Sequence, residues 1–129
     1  MIIKSMSRKE ASFTQLYDYI TRDKDNDARF NYHSNIFGLD RKAILNEFQE
    51  NAHLLPKRKN GNYLYHEIIS ISRAKNITET QQKQILFDII QQYAQSRAKD
   101  CLVFGGIHDE KDHHLHFHLM ISANNVGKN

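Results

Sequence analysis

Cysteine, proline and tryptophan are nearly or wholly missing from these 129 residues: one Cys, one Pro and no Trp. A lone thiol, Cys101, excludes an intrachain disulfide framework and leads us to expect a reducing, cytoplasmic setting. No apolar run approaches the roughly 20 residues that a membrane-spanning helix needs. The opening Met1-Ile2-Ile3-Lys4 is not a secretory leader. Charge of one sign is scarce too. Eighteen Lys and Arg against 15 Asp and Glu leave a surplus of +3, too small to identify an anionic partner unaided. What is present is a 40% hydrophobic share with seven Phe and six Tyr, enough for a modest core and too apolar for a disordered chain. Repeats and low-complexity linkers are absent. The length suits one domain over 1–129, either compact or the front part of a longer protein.

Local patterns predict an α+β fold in the order β-α-α-β-α-β-β. Ile2 to Met6 reads as a strand. Ser12-Phe13-Thr14-Gln15 has the form of a capping box. Phe13, Leu16, Tyr17 and Ile20 then follow at helical spacing, so residues 12–22 are expected to be helical. Residues 23–35 read as a loop. A second helix runs from about Asp40 on Ile44, Leu45, Phe48, Ala52 and Leu55, and Pro56 stops it. Lys57-Arg58-Lys59-Asn60-Gly61-Asn62 is a basic turn, and Tyr63 to Ser72 a strand. A second capping box, Thr78-Glu79-Thr80-Gln81, opens a helix to about Lys99 with Ile85, Leu86, Ile89, Ile90 and Tyr93 as its buried stripe. Cys101–Ile107 and Leu115–Ala123 are the last strands, and their short polar connection makes them antiparallel neighbours. The expected architecture is a central antiparallel sheet with helices mainly on one face and a metal site on the other.

The chemistry concentrates near the C-terminus. Five of the eight histidines fall between His108 and His118. Alternation along the final strand sets Leu115, Phe117, Leu119 and Ile121 on one face, and His116, His118, Met120 and Ser122 on the other. Imidazoles two residues apart on a strand can converge on one cation, and His108, closing the adjacent strand, offers a third nitrogen. Three neutral nitrogens leave coordination positions open, which is the catalytic rather than the structural arrangement. Imidazoles alone would favour Zn, Ni or Mn. His113 and His114 fall in the turn and read as surface residues or DNA contacts.

The run Ile107-His108, seven residues, then His116-Phe117-His118-Leu119-Met120-Ile121-Ser122 resembles the metal motif of the conjugative relaxases. These are the mobilization nucleases of the His-hydrophobic-His endonuclease superfamily. Leu16-Tyr17-Asp18-Tyr19-Ile20-Thr21-Arg22 is similar to the family's nucleophilic tyrosine segment, with Asp18-Tyr19-Ile20 the nearest part. Tyr65-His66-Glu67-Ile68-Ile69-Ser70 and the helix after it are similar to its middle strand and helix. Leu115 stands where many members have Pro, and Asn124 and Asn125 are offset from the polar residue that often follows the motif.

The resemblance implies a DNA relaxase acting on single-stranded DNA at the transfer origin of a plasmid or mobile element. Mg or Mn would be the working ion, and accessory mobilization proteins are conceivable partners. Tyr19 would attack a phosphodiester, leaving a free 3′-hydroxyl and a 5′-phosphotyrosyl link that can be resealed without ATP. Wheel geometry favours Tyr19, on the flank of the stripe, over Tyr17 within it. Asp112, Glu67 or a metal-bound hydroxide could accept the phenolic proton. Glu67 could instead orient a ligand histidine, and since His66 points to the other face, at most one of this pair meets the metal. Arg22, Lys57, Arg58 and Lys59 are candidate DNA contacts, along with Lys4, Arg8, Lys9 and Lys24. The competing readings are a three-His hydrolase using water, a non-catalytic metal-stabilised DNA-binding module, and a replication-initiator-type nickase. In the last of these the His pair usually precedes the tyrosine helix.

Overall fold

Segments rich in β-branched and aromatic residues pair most widely when every strand finds a hydrogen-bonding neighbour. The computed structural model, which describes residues 1–8, 12–53, 64–109 and 114–126, places all five strands in one sheet. In chain order the elements are β1 (Ile2–Arg8), α1 (Phe13–Ile20), a 3-10 turn (Ala28–Phe30), β2 (Tyr32–Ser34), α2 (Arg41–His53), β3 (Leu64–Ser72), α3 (Glu79–Arg97), β4 (Cys101–His108) and β5 (His114–Asn125). The strand order in space is β1-β3-β5-β4-β2, with every pairing antiparallel. This is the expected α+β fold, with the connection between β4 and β5 joining immediate neighbours.

Central β5 is buried on both sides, and its alternation sorts two cores. Leu115, Phe117, Leu119 and Ile121 pack with Ile69, Val103 and Ile107 beneath Leu86, Ile90 and Ala94 of α3. On the other side Met120, Phe104, Leu102 and Leu64 meet Phe13, Leu16 and Ile20 of α1 and Ile44, Leu45 and Phe48 of α2. Fully burying a side chain such as Phe13, Phe48 or Phe117 contributes about 1.5–3 kcal/mol. The helices therefore do not gather mainly on one face: α3 covers one, and α1 with α2 the other. The apolar end of the second face, at Leu102, Phe104 and Met120, requires that cover.

Other details differ from the sequence reading. Thr78 and Gln81 form the reciprocal capping box, whereas Ser12 makes no side-chain cap hydrogen bond. The buried stripe of α3 runs through Gln82, Lys83, Leu86, Ile90 and Ala94, leaving Ile85 46% exposed. Polar Gln82 and Lys83 are tolerated because each has partners: the Gln82 side-chain Oε1 accepts from the Ala74 N–H, and Lys83 bridges Asp27 and Asp109. Residues 23–35, read as loop, hold the 3-10 turn and the edge strand β2. The basic turn at 57–62 lies outside the described residues. No helix among the described residues is long and apolar enough to cross a membrane.

Candidate active site

The same alternation that sinks Leu115, Phe117 and Leu119 under α3 turns His116 and His118 toward the α1 side. Register completes the constellation. His108 on β4 lies directly across from His116, and Gly106 across from His118. On β3, Ser70 pairs with His116, Ile68 with His118 and His66 with Met120. His66, His108, His116 and His118 thus leave the sheet on one face, as does His114, which the structure places in β5 opposite Ser72 rather than in the turn. The rings of His108 and His118 are 4.4 Å apart, and those of His66 and His118 are 5.2 Å apart. His108 is fully buried, and His66 and His118 are each 5% exposed.

Helix α1 brings a phenol to this group. The Tyr19 ring is 4.9 Å from that of His108 and meets His118 edge-on at 5.1 Å and His66 at 6.5 Å. Tyr17 points elsewhere, stacked on Phe104 at 4.7 Å, and its burial raises the phenol pKa. The helix end can approach because residue 106 is glycine. A Cβ there would lie 2.7 Å from Asn26 Nδ2 and 3.0 Å from Ile20 Cγ2. The segment after α1 is stitched to the same end of β4. Asn26 Nδ2 donates to the Ile107 carbonyl, the Asp109 N–H to the Asp25 carbonyl, and Lys83 ties Asp27 to Asp109. Burial alone would raise the pKa of Asp109, but hydrogen bonds from Arg73 and Lys83 outweigh it and hold the carboxyl below the usual range.

One hydrogen bond fixes which nitrogen of a ring holds the lone pair. A carbonyl oxygen only accepts, so the 3.0 Å contact from His108 Nε2 to the Ile20 carbonyl must be a donated N–H. In its neutral form such a ring has its lone pair on Nδ1, itself buried. His116 Nδ1 lies 2.8 Å from Ser70 Oγ, and His118 Nδ1 lies 2.9 Å from His66 Nε2. If both Nδ1 atoms donate, both Nε2 atoms are left as lone pairs. Burial first, and then the neighbouring His108, His66, His116 and Arg22, pull the His118 pKa down to about 3, so this ring is neutral at ordinary pH. Neutral imidazole nitrogens are the donor type a divalent transition ion takes. With the side chains as placed, no three His, Cys, Asp or Glu among the described residues converge on one point suited to an ion. His116, which leans on Ser70 and lies 6.2 Å from the His114 ring, is the outlying member.

An open cleft of about 330 Å³, lined by Gln15, Leu16, Tyr19, His66, Ile68 and His118, leads to the group. The Arg22 guanidinium sits 5.1 Å over the Tyr19 ring and is ion-paired with Asp25. Glu67 is not brought to the histidines. It points to the α3 face, 1% exposed, where it accepts from Ser5 Oγ at 2.8 Å, Tyr93 Oη at 2.5 Å and Arg97 Nε at 3.1 Å. One residue's difference in register turns it away, and of the pair it is His66 that faces the site. Asp112, Lys57, Arg58 and Lys59 lie outside the described residues. The sequence does not single out Ser70, Asn26 or Gly106 as site residues, and His66 enters there only as the alternative to Glu67. Period-two alternation on β3 already placed His66 and Ser70 on one face, but only the pairing register shows that this face meets His116 and His118.

Residues 19–129 match the family model described as "Relaxase: MobA/VirD2-like, nuclease domain". The match opens at Tyr19 and spans every histidine named above. No curated protein matches the chain.

Proposed function

This chain belongs to the relaxases, as a MobA/VirD2-like nuclease domain that nicks DNA, and we propose that it does so with Tyr19 as the nucleophile. The substrate is single-stranded DNA at the transfer origin of a plasmid or mobile element. The observation that carries this reading is the Tyr19 ring packed against His108 and His118 at the mouth of a cleft.

His108, His116 and His118 would hold a divalent cation, Mg or Mn in keeping with the family, through a nitrogen donor set that also suits Zn or Ni. When bound, such an ion offsets negative charge on a non-bridging oxygen of the scissile phosphate. The remaining steps belong to the chain. The Tyr19 oxygen attacks phosphorus in line with the 3′-oxygen of the preceding nucleotide. A phenol O–P bond forms, the P–O3′ bond breaks, and the departing 3′-oxygen ends protonated while the phenol gives up its proton. Tyrosine ordinarily titrates near 10, so its proton must leave as the bond forms. Because one phosphodiester replaces another, the reverse attack by a 3′-hydroxyl reseals the strand. Arg22, over the ring of Tyr19, supplies a cation beside the phosphate path.

Incubation with labelled single-stranded oligonucleotides and manganese, followed by a denaturing gel, tests the proposal. A protein band carrying label in wild type and missing in Tyr19→Phe is the expected result. Nicking that persists in Tyr19→Phe without a covalent band would favour water as the nucleophile and overturn it.

A further inference from the structure

We infer that His66 is a positioning residue that accepts the Nδ1–H of His118 and so presents the Nε2 lone pair of His118 to the cation. The inference rests on the cation reading above and concerns a residue outside the three-histidine set. Three observations carry it. His66 Nε2 lies 2.9 Å from His118 Nδ1. Both rings are 5% exposed, so water does not replace this contact cheaply. His66 also lines the cleft together with Tyr19 and His118.

The direction of the proton decides the chemistry. Two imidazoles facing each other through nitrogen share one hydrogen bond, and in the neutral form each carries one N–H. If His66 donated, the His118 proton would sit on Nε2 and its Nδ1 lone pair would be occupied by the hydrogen bond. Both nitrogens of His118 would then be unavailable to an ion. If His118 donates, Nε2 is open and the ring plane is fixed by a buried acceptor. Ligand histidines commonly have their second nitrogen held in this way, and losing the holder typically weakens metal affinity 10–100-fold. The same bond uses the Nε2 lone pair of His66, which makes His66 the support of a ligand and not a ligand.

Two substitutions separate the roles. His66→Gln retains a carbonyl acceptor, and His66→Phe fills a similar volume without one. Manganese titration of the full chain, followed by the electron paramagnetic resonance of free Mn, should show His66→Phe binding 10–100-fold more weakly than wild type. His66→Gln should stay within about threefold. Nitrogen-15 spectra of the metal-free wild-type protein should show His118 protonated on Nδ1, a readout independent of any activity and of whether a variant folds. His118 protonated on Nε2, or His66→Phe binding manganese like wild type, would overturn the inference alone. Equal losses in His66→Gln and His66→Phe would overturn the acceptor role. Wild-type protein that binds no manganese would overturn the cation reading and this inference with it.

Discussion

His108 Nε2 donates to the Ile20 carbonyl at 3.0 Å, tying the last residues of β4 to the end of α1, one residue beyond Tyr19. The phenol and the imidazoles are therefore held in register by a bond to the backbone, reinforced by the fit of Ile20 against Gly106. Gly106→Ala tests that fit. The added methyl would press on Asn26, Asn31 and Ile20 at 2.7–3.0 Å and push the helix end outward. Overpacking of this kind costs about 1–3 kcal/mol. Displacing a reacting group by about 1 Å can cost on the order of a hundredfold in rate. Adduct formation in this variant should fall at least tenfold while chemical denaturation shows the protein still folded. Unchanged adduct yield would mean that the approach of α1 does not set the site.

The two tyrosines of α1 should separate cleanly. Among the described residues, Tyr19 is the tyrosine whose ring packs against these histidines, and Tyr19→Phe should lower covalent adduct by about a thousandfold or more. Tyr17→Phe preserves the ring stacked on Phe104 and should keep both activity and stability, the latter within about 0.5–1 kcal/mol. Quantified gel bands and urea melts on both variants check this. Loss of adduct in Tyr17→Phe would reverse the assignment.

Glu67 should prove a matter of stability alone. Its carboxylate ties β1, β3 and α3 together through Ser5, Tyr93 and Arg97. Burial, with this carboxylate as the next cause, pushes the Tyr93 phenol up to about 12. Removing one partner of a fully buried ion pair costs about 3–5 kcal/mol, and less here because the Arg97 side chain is 37% exposed. Glu67→Ala should lose about 2–3 kcal/mol in urea denaturation while the nicking rate per folded molecule stays within about threefold. A selective loss of rate in fully folded Glu67→Ala would restore it to the reaction.

Acid should destabilise the metal-free protein before ordinary carboxylates titrate. The unfolded chain protonates His118 near 6.5, whereas the folded ring resists until about 3. The unfolded state therefore binds more protons in that window, so stability is full above about pH 6.5 and falls as pH drops toward 3. Asp27, held below the usual carboxylate range by Arg29 and Lys83, adds a loss that begins only near its ordinary value of 3.8. Urea melts in chelator should show a decrease on the order of 3 kcal/mol between pH 7 and pH 4, much reduced in His118→Gln. A flat profile across that range would contradict the burial of a neutral ring.

Long periodic elements were legible from sequence because burial leaves a repeating mark. The Phe13-Leu16-Ile20 stripe, the Thr78 capping box and the two faces of β5 all appear where alternation or helical spacing set them. Short or polar features were not. β2 spans only Tyr32–Ser34 and is held by its pairing with β4, which leaves no local period. The sequence pattern puts Ile85 in the α3 stripe because periodicity registers apolarity, whereas the buried position of Lys83 depends on Asp27 and Asp109, far away in the chain. The site followed the same division. His116 and His118 share a face through local alternation, but His66 and Gly106 join them only through strand register. Glu67, one residue from His66, has the charge of a catalytic group but belongs to the other side of the sheet.

Locating the covalent attachment is the most direct measurement of the central claim. Wild-type protein is allowed to react with a single-stranded oligonucleotide, the DNA is trimmed by nuclease, and the tryptic peptide ending at Arg22 is fragmented in a mass spectrometer. Tyr17 and Tyr19 lie on that peptide separated by Asp18 alone, so fragment ions between them decide the matter. The account predicts a phosphonucleotide on Tyr19. The same mass on Tyr17, or on any residue outside α1, would contradict it.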